Sequence, residues 1–215
     1  MPVLQLPDYG KHLIFLGSTG SGKTYLAEKM LQRYARTFAI DTQDSLDIPG
    51  NRIRSPDLLA WKLKIHARLH YVPRPEYLDR ETWNYVLKTI LLSSEKKKPK
   101  PRVIYIDEIF HLGFGAVSFP DWLSKSVTTA RQRKLSYWIS TQRPRMIPGE
   151  ILTEASKIYV FYLSKAEDIK FISGFSRSDP KQLQEALSLQ QDDYSFIEID
   201  NRKGTWQKFQ KLKED

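Results

Sequence analysis

The segment Gly17–Thr24, GSTGSGKT, constrains this chain more than any other part of it, because it satisfies the pattern GxxxxGK[ST] in full. Gly17, Gly20 and Gly22 let the backbone wrap an anion without Cβ clashes, and successive N–H groups then point inward as donors. Lys23 is placed to reach the β- and γ-phosphates of a nucleotide, and the Thr24 hydroxyl to hold Mg²⁺. The loop amides of Gly17, Ser18, Thr19, Gly20, Ser21 and Gly22 complete a candidate ATP site. This chemistry needs a strand before the loop and a helix after it, whose N-terminal dipole faces the same charge. Both are present: HLIFL fills 12–16, and Leu26, Met30, Leu31 and Tyr34 recur at helical spacing over 23–34.

Alternating apolar runs and helical patterns extend the same theme along the chain and predict an α/β fold with a mostly parallel sheet. Strands are expected at 37–41, 68–72, 103–106, 135–141 and 157–163, and helices at 56–66, 79–92, 119–131, 148–155, 165–173 and 180–188. Residues 42–57 read as turn-rich connection. YSFIEI at 194–199, a turn at 200–204 and TWQKFQ predict a terminal β-hairpin that extends the sheet or meets another subunit. No repeat and no boundary interrupts the 215 residues, so one domain over 1–215 is expected, with a core at 11–175 and a C-terminal helix and hairpin at 176–215. At 40% hydrophobic and 27% charged residues, the composition is globular.

Two further segments bring chemistry to the sheet. VIYIDE at 103–108 ends an apolar strand in two acids. Asp107 can hold Mg²⁺ directly or through water, and Glu108, one residue on, can polarise an attacking water. A kinase has no use for that second acid, so the pair favours hydrolysis over transfer to a metabolite. WISTQRPR at 138–145 leaves Gln142 at the C-terminal end of another apolar strand. Parallel strands share one carboxyl edge, where ligands bind. If this strand lies between the other two, Gln142 faces the γ-phosphate.

GSTGSGKT, VIYIDE, ARQRK at 130–134 and STQRP at 140–144, in this order, resemble the FtsK/HerA superfamily of DNA-pumping ATPases over residues 11–165. Within it, a lone motor domain is most similar to the genome-packaging ATPases of tailless icosahedral viruses with internal membranes. The resemblance implies a three-layer P-loop NTPase with a RecA-like, additional-strand sheet. It implies ATP-driven movement of double-stranded DNA into a preformed capsid, an oligomeric ring (a hexamer), and contacts with capsid-vertex or viral-membrane proteins. The setting it implies is the host cytoplasm during assembly, with association to the virion at a packaging vertex. Lys23, Thr24, Asp107, Glu108 and Gln142 take the corresponding family roles. An arginine finger from a neighbouring subunit is expected at Arg131 or Arg133, with Arg143 and Arg145 next in line; where relatives show a glycine–arginine pair, this chain reads Ala130–Arg131. A filamentous-phage assembly ATPase or a HerA-like translocase would use the same site. A small-molecule kinase is the rival from a different class.

Charge and composition narrow the partners. Lys plus Arg number 34 and Asp plus Glu 25, a formal net charge of +9 that suits a polyanion. Without cysteine the chain forms no disulfide scaffold and no thiolate zinc site. No apolar run approaches the ~18 residues that cross a bilayer, and MPVLQLPDYG breaks the apolar core a secretion signal needs. Lys96, Lys97, Lys98, Lys100 and Arg102 form a basic loop on the edge opposite the nucleotide, expected to be a solvated surface. Residues 110–122, rich in glycine and aromatics, either form a mobile coupling loop or pack under the next helix. His12, His66, His70 and His111 show no metal-ligand spacing and read as structural.

Overall fold

The computed structural model describes residues 4–95, 97–113, 118–175, 179–188 and 194–210. In chain order the elements are β1 (His12–Leu16), α1 (Lys23–Leu31), β2 (Thr37–Asp41), β3 (Asn51–Ile53), α2 (Leu59–Ile65), β4 (Arg68–Tyr71), α3 (Arg80–Leu92), β5 (Arg102–Asp107), α4 (Asp121–Ala130), β6 (Leu135–Thr141), α5 (Gly149–Glu154), β7 (Ala155–Val160), α6 (Ala166–Phe175), α7 (Pro180–Ser188), β8 (Phe196–Asp200) and β9 (Thr205–Phe209). They build one nine-stranded sheet in the order β3-β4-β2-β5-β6-β1-β7-β8-β9. The strands from β3 to β7 pair in parallel, and β8 and β9 add the expected antiparallel hairpin.

Strand alternation sorts the core into two layers. Ile14, Leu16, Phe38, Ile40, Ile104, Ile106 and Ile139 face α2 to α7, while Leu13, Phe15, Val103, Tyr105 and Trp138 face α1. The three-layer, additional-strand architecture is therefore present: β6 separates the strand of the phosphate loop from the strand that ends in Asp107.

Two elements depart from the sequence reading. Residues 51–53 form an edge strand, β3, inside the stretch read as turns; it is three residues long and buries only Ile53, too little for an alternation to show. The strand expected to run to 163 stops at Val160. Beyond it Phe161 N donates to Leu16 O at 2.7 Å, and the chain turns to back the phosphate loop.

Arg102 shows how the lower edge is tied together. Its side chain is buried, and its guanidinium donates to the carbonyls of Leu63 at 2.9 Å and of Thr37, Ala67 and His66 at 3.2 Å. It thereby caps the C-terminal end of α2 and joins it to the start of β2. Arg102→Met is expected to destabilise the fold by about 2–4 kcal/mol, since bonds from a charged donor are lost. Thermal unfolding would then fall by about 5–10 °C.

Candidate nucleotide and hydrolysis site at the carboxyl edge of the sheet

The phosphate loop is clamped from both sides. Gly17 N donates to Thr141 O at the end of β6 (3.3 Å), and Ser18 N to Tyr162 O beyond β7 (2.8 Å). A Cβ on Gly17 would lie 2.7 Å from Phe161 Cβ, so the close approach requires glycine. Gly22 caps α1 in the left-handed region at φ 99°, which starts the helix with its free N–H groups facing the loop. Lys23 is buried and donates from Nζ to Ser18 O at 2.9 Å, folding its ammonium back over the loop it serves. Burial lowers its pKa, and Glu108 and Asp107 act in the opposite direction.

Asp107 ends β5 in register with Asp41 at the end of β2, so two carboxylates stand on neighbouring strands. Asp107 accepts from the Tyr105 hydroxyl at 2.9 Å and from Ser45 Oγ at 3.4 Å. Burial raises its pKa; the Tyr105 bond and Lys23 oppose this, and the charges of Asp41 and Glu108 add to it. Burial also pushes Asp41 up, but bonds from His70 and from backbone N–H groups outweigh it and leave this carboxyl below its usual range. His70 Nε2 lies 3.0 Å from Asp41 Oδ2, and Leu46 N donates to the same oxygen at 2.9 Å.

Glu108 leaves the strand in the left-handed region, φ 49° and ψ 75°, a conformation costing a non-glycine residue about 1–2 kcal/mol. The turn carries its carboxylate across to β6. There Oε1 accepts from Thr141 Oγ1 at 2.6 Å and Oε2 from Gln142 N at 3.1 Å. Gln142 itself reaches the phosphate loop, where Thr19 Oγ1 donates to its Oε1 at 2.8 Å. Lys23, Asp107, Glu108 and Gln142, separated by up to 119 positions in sequence, thus meet at one sheet edge.

The segment after Gln142 is also anchored. Arg143 lies over the Phe110 ring, 4.1 Å from its centroid, and Arg145 pairs with Glu167 at 2.8 Å and Asp168 at 3.4 Å. Residues 114–117 of the aromatic loop, and Lys96 of the basic loop, lie outside the described residues. Arg131 and Arg133 stand at the start of β6, roughly 20 Å of strand from this site, and so do not serve it within one chain. Arg133 donates to Ser94 O, whereas Arg131 is exposed and makes no side-chain hydrogen bond or ion pair among the described residues.

Sequence patterns alone missed Thr141, Tyr105, Ser45 and the Asp41–His70 pair. A signal for Asp41 existed: TFAID at 37–41 repeats the apolar-strand-then-aspartate form of VIYID at 103–107. The histidines otherwise serve packing and connection. His12 Nδ1 accepts from Tyr137 N at 2.9 Å, and His111 Nδ1 lies 2.6 Å from Thr42 Oγ1.

The residues present fit Mg²⁺ as well as phosphate. A buried carboxylate whose pKa is raised by burial and two further acids gains from a nearby cation. Among the described residues no group of three or more His, Cys, Asp or Glu forms an all-protein metal cage. Mg²⁺ commonly takes one or two protein oxygens and completes its shell with phosphates and water. Asp107→Asn removes the buried charge and keeps an acceptor for Tyr105. The free protein is expected to melt about 2–4 °C higher, a gain of roughly 1 kcal/mol, while Mg²⁺-dependent ATP hydrolysis collapses.

The parallel sheet, the glycine loop between strand and helix, and the interposed β6 define the P-loop NTPase class of additional-strand type. No protein-family model and no curated protein matches the sequence. Solved structures do match the fold. The genome packaging NTPase B204 of Sulfolobus turreted icosahedral virus 2, in complex with sulfate, superposes with a TM-score of 0.76 at 17% identity, covering 99% of this chain and 100% of that one. Its complex with AMPPCP gives 0.73 at 18% identity, covering 95% and 98%. The pCW3 conjugation coupling protein TcpA, with ATPγS, gives 0.51 at 14% identity and covers 88% of this chain and 57% of that one.

Proposed function

We propose that the chain is a single motor domain that hydrolyses ATP to drive double-stranded DNA into a preformed viral capsid. The observation that carries this reading is the bond between Thr19 and Gln142: a glutamine from the middle strand sits on the phosphate loop beside an acid able to take a proton from water. Lys23 and the amides of Gly17–Gly22 bind the phosphates. Thr24 and Asp107 hold Mg²⁺, which when bound neutralises charge on the phosphate oxygens. Glu108 orients the attacking water and accepts its proton. Gln142 reports whether the γ-phosphate is present, and its neighbours Arg143 and Arg145 pass that state to Phe110 and to the start of α6. Arg131, which makes no side-chain hydrogen bond or ion pair among the described residues, is assigned as the finger donated to the next subunit of a hexameric ring, and Arg133 as its anchored neighbour. The likeness of the whole chain to B204 supports packaging; on this reading the protein works in the host cytoplasm during assembly, at a capsid vertex, with capsid or viral-membrane proteins as partners.

Phosphate release by the assembled protein, measured with Mg²⁺ and ATP in the presence and absence of duplex DNA, tests this. Strong stimulation by duplex is expected. Hydrolysis indifferent to DNA, or transfer of the γ-phosphate to a nucleoside or metabolite, would contradict it.

A further inference from the structure

We infer that the exposed ring of Tyr194 is the platform on which the base of the bound nucleotide stacks. This deepens the reading of Gly17–Thr24 as an ATP site and rests on it. Direction along the sheet decides where a base can lie. The strands run β5-β6-β1-β7-β8 across the site. Glu108 and Gln142, just beyond the ends of β5 and β6, mark the γ-phosphate end, and the loop amides after β1 hold the phosphates behind it. The ribose and base therefore leave on the far side of β1, over β7 and β8. β8 lies three strand spacings from β6, roughly 14 Å, a length that the triphosphate, ribose and base of one nucleotide can span.

Tyr194 stands at that place. β8 runs antiparallel to β7, with Ile197 opposite Val160, so the start of β8 is at the carboxyl edge. Tyr194 precedes that start by two residues and reaches the phosphate loop: a Cβ on Gly22 would lie 3.4 Å from Tyr194 Cδ1 and 3.5 Å from Phe161 Cε1. Gly22 is the residue that caps α1, whose free N–H groups face the phosphates. One side of the ring thus rests on the loop while the residue stays 54% exposed. Trp61 and Tyr85, the other exposed aromatics among the described residues, stand on α2 and α3, across the sheet from α1.

The ring is also held, as a platform must be. Phe161, Phe196 and Phe209 form a buried stack with centroids 5.1 Å apart at each step, which pins the start of β8 against the end of β7. Tyr194 leaves this stack in the left-handed region at φ 53°, a conformation that strains any residue with a Cβ. Core packing does not call for that strain, since the residue it places stays more than half exposed. A base laid on the open face would bury apolar surface on both partners, and stacking accepts any base because every base has a π-face. Tyr194 therefore adds affinity for nucleoside triphosphates as a class, without choosing among purines.

Titration calorimetry on the full-length protein with Mg²⁺ and, in turn, ATP, GTP and inorganic tripolyphosphate tests this, comparing wild type with Tyr194→Leu and Tyr194→Phe. Leucine keeps apolar bulk against Gly22 and has no π-face; phenylalanine keeps the face without the hydroxyl. Tyr194→Leu is expected to raise the dissociation constants of ATP and GTP alike by about tenfold or more, and to leave tripolyphosphate within about twofold of wild type. Retained tripolyphosphate binding also certifies folding. Tyr194→Phe should match wild type with every ligand. A ring that only props the loop would weaken tripolyphosphate by the same factor as ATP, and that result overturns the inference. So does wild-type ATP binding by Tyr194→Leu, a loss confined to one of the two purines, or a loss in Tyr194→Phe as large as in Tyr194→Leu. A wild type that binds tripolyphosphate as tightly as ATP overturns it too, and leaves the phosphate site standing. A wild type that binds none of these ligands would remove the reading of the loop as an ATP site.

Discussion

Glu108→Gln is expected to reduce ATP hydrolysis by a factor of about 10²–10⁴, the range over which a positioned general base contributes. The substitution preserves length and leaves a carboxamide oxygen to accept from Thr141, so the end of β6 stays tied to β5. It removes the proton acceptor and sets an N–H against the Gln142 N–H, where a carboxylate oxygen now accepts. ATP should still bind within a few-fold of wild type, because Lys23 and the loop amides are untouched. A fluorescent ATP analogue and a phosphate-release assay on the same preparation separate the two effects. Hydrolysis retained in full would remove Glu108 from the chemistry and leave its left-handed backbone without a functional reason.

Lys23→Ala carries the second large effect and strikes binding instead. The ammonium is the buried cation that faces Asp107 and Glu108, and its loss leaves those acids uncompensated in the path of a triphosphate. Loss of a charged hydrogen bond to phosphate is worth about 1.5–3 kcal/mol, and repulsion from the two uncompensated acids adds to it. A rise in the ATP dissociation constant of about a hundredfold is expected, with hydrolysis lost at ordinary ATP concentrations. Lys23→Arg should not rescue, because a planar fork cannot take the place of a compact ammonium folded onto Ser18 O. Titration calorimetry with ATP reads the change directly.

The parts of this site that were legible in the sequence are those whose chemistry demands a local pattern. Glycines at fixed offsets are visible because a phosphate leaves no room for Cβ. Asp107 and Glu108 are visible because a strand buried on both faces rarely ends in two acids without use for them. Gln142 was legible as a strand-end residue; its reach to the loop depends on Thr19, which nothing in a linear pattern joins to it. Thr141 and Tyr105 stayed hidden for a similar reason, since a hydroxyl inside an apolar strand reads as filler until the neighbouring strand supplies an acid. The fold followed the same division. Strands with five or more apolar-rich residues could be read from their runs, but β3, with one buried residue in three, exists only because β4 offers it an edge.

That ATP is split where these four residues meet is decided most directly by a structure of the protein with Mg²⁺ and a slowly hydrolysed ATP analogue. Gln142 should have left Thr19 for the γ-phosphate. Glu108 should stand within reach of that phosphate's attacking water, while still held by Thr141. A γ-phosphate bound beyond hydrogen-bond reach of Glu108, even through one water, with Gln142 still paired to Thr19, would show that the edge binds a nucleotide and does no work with it.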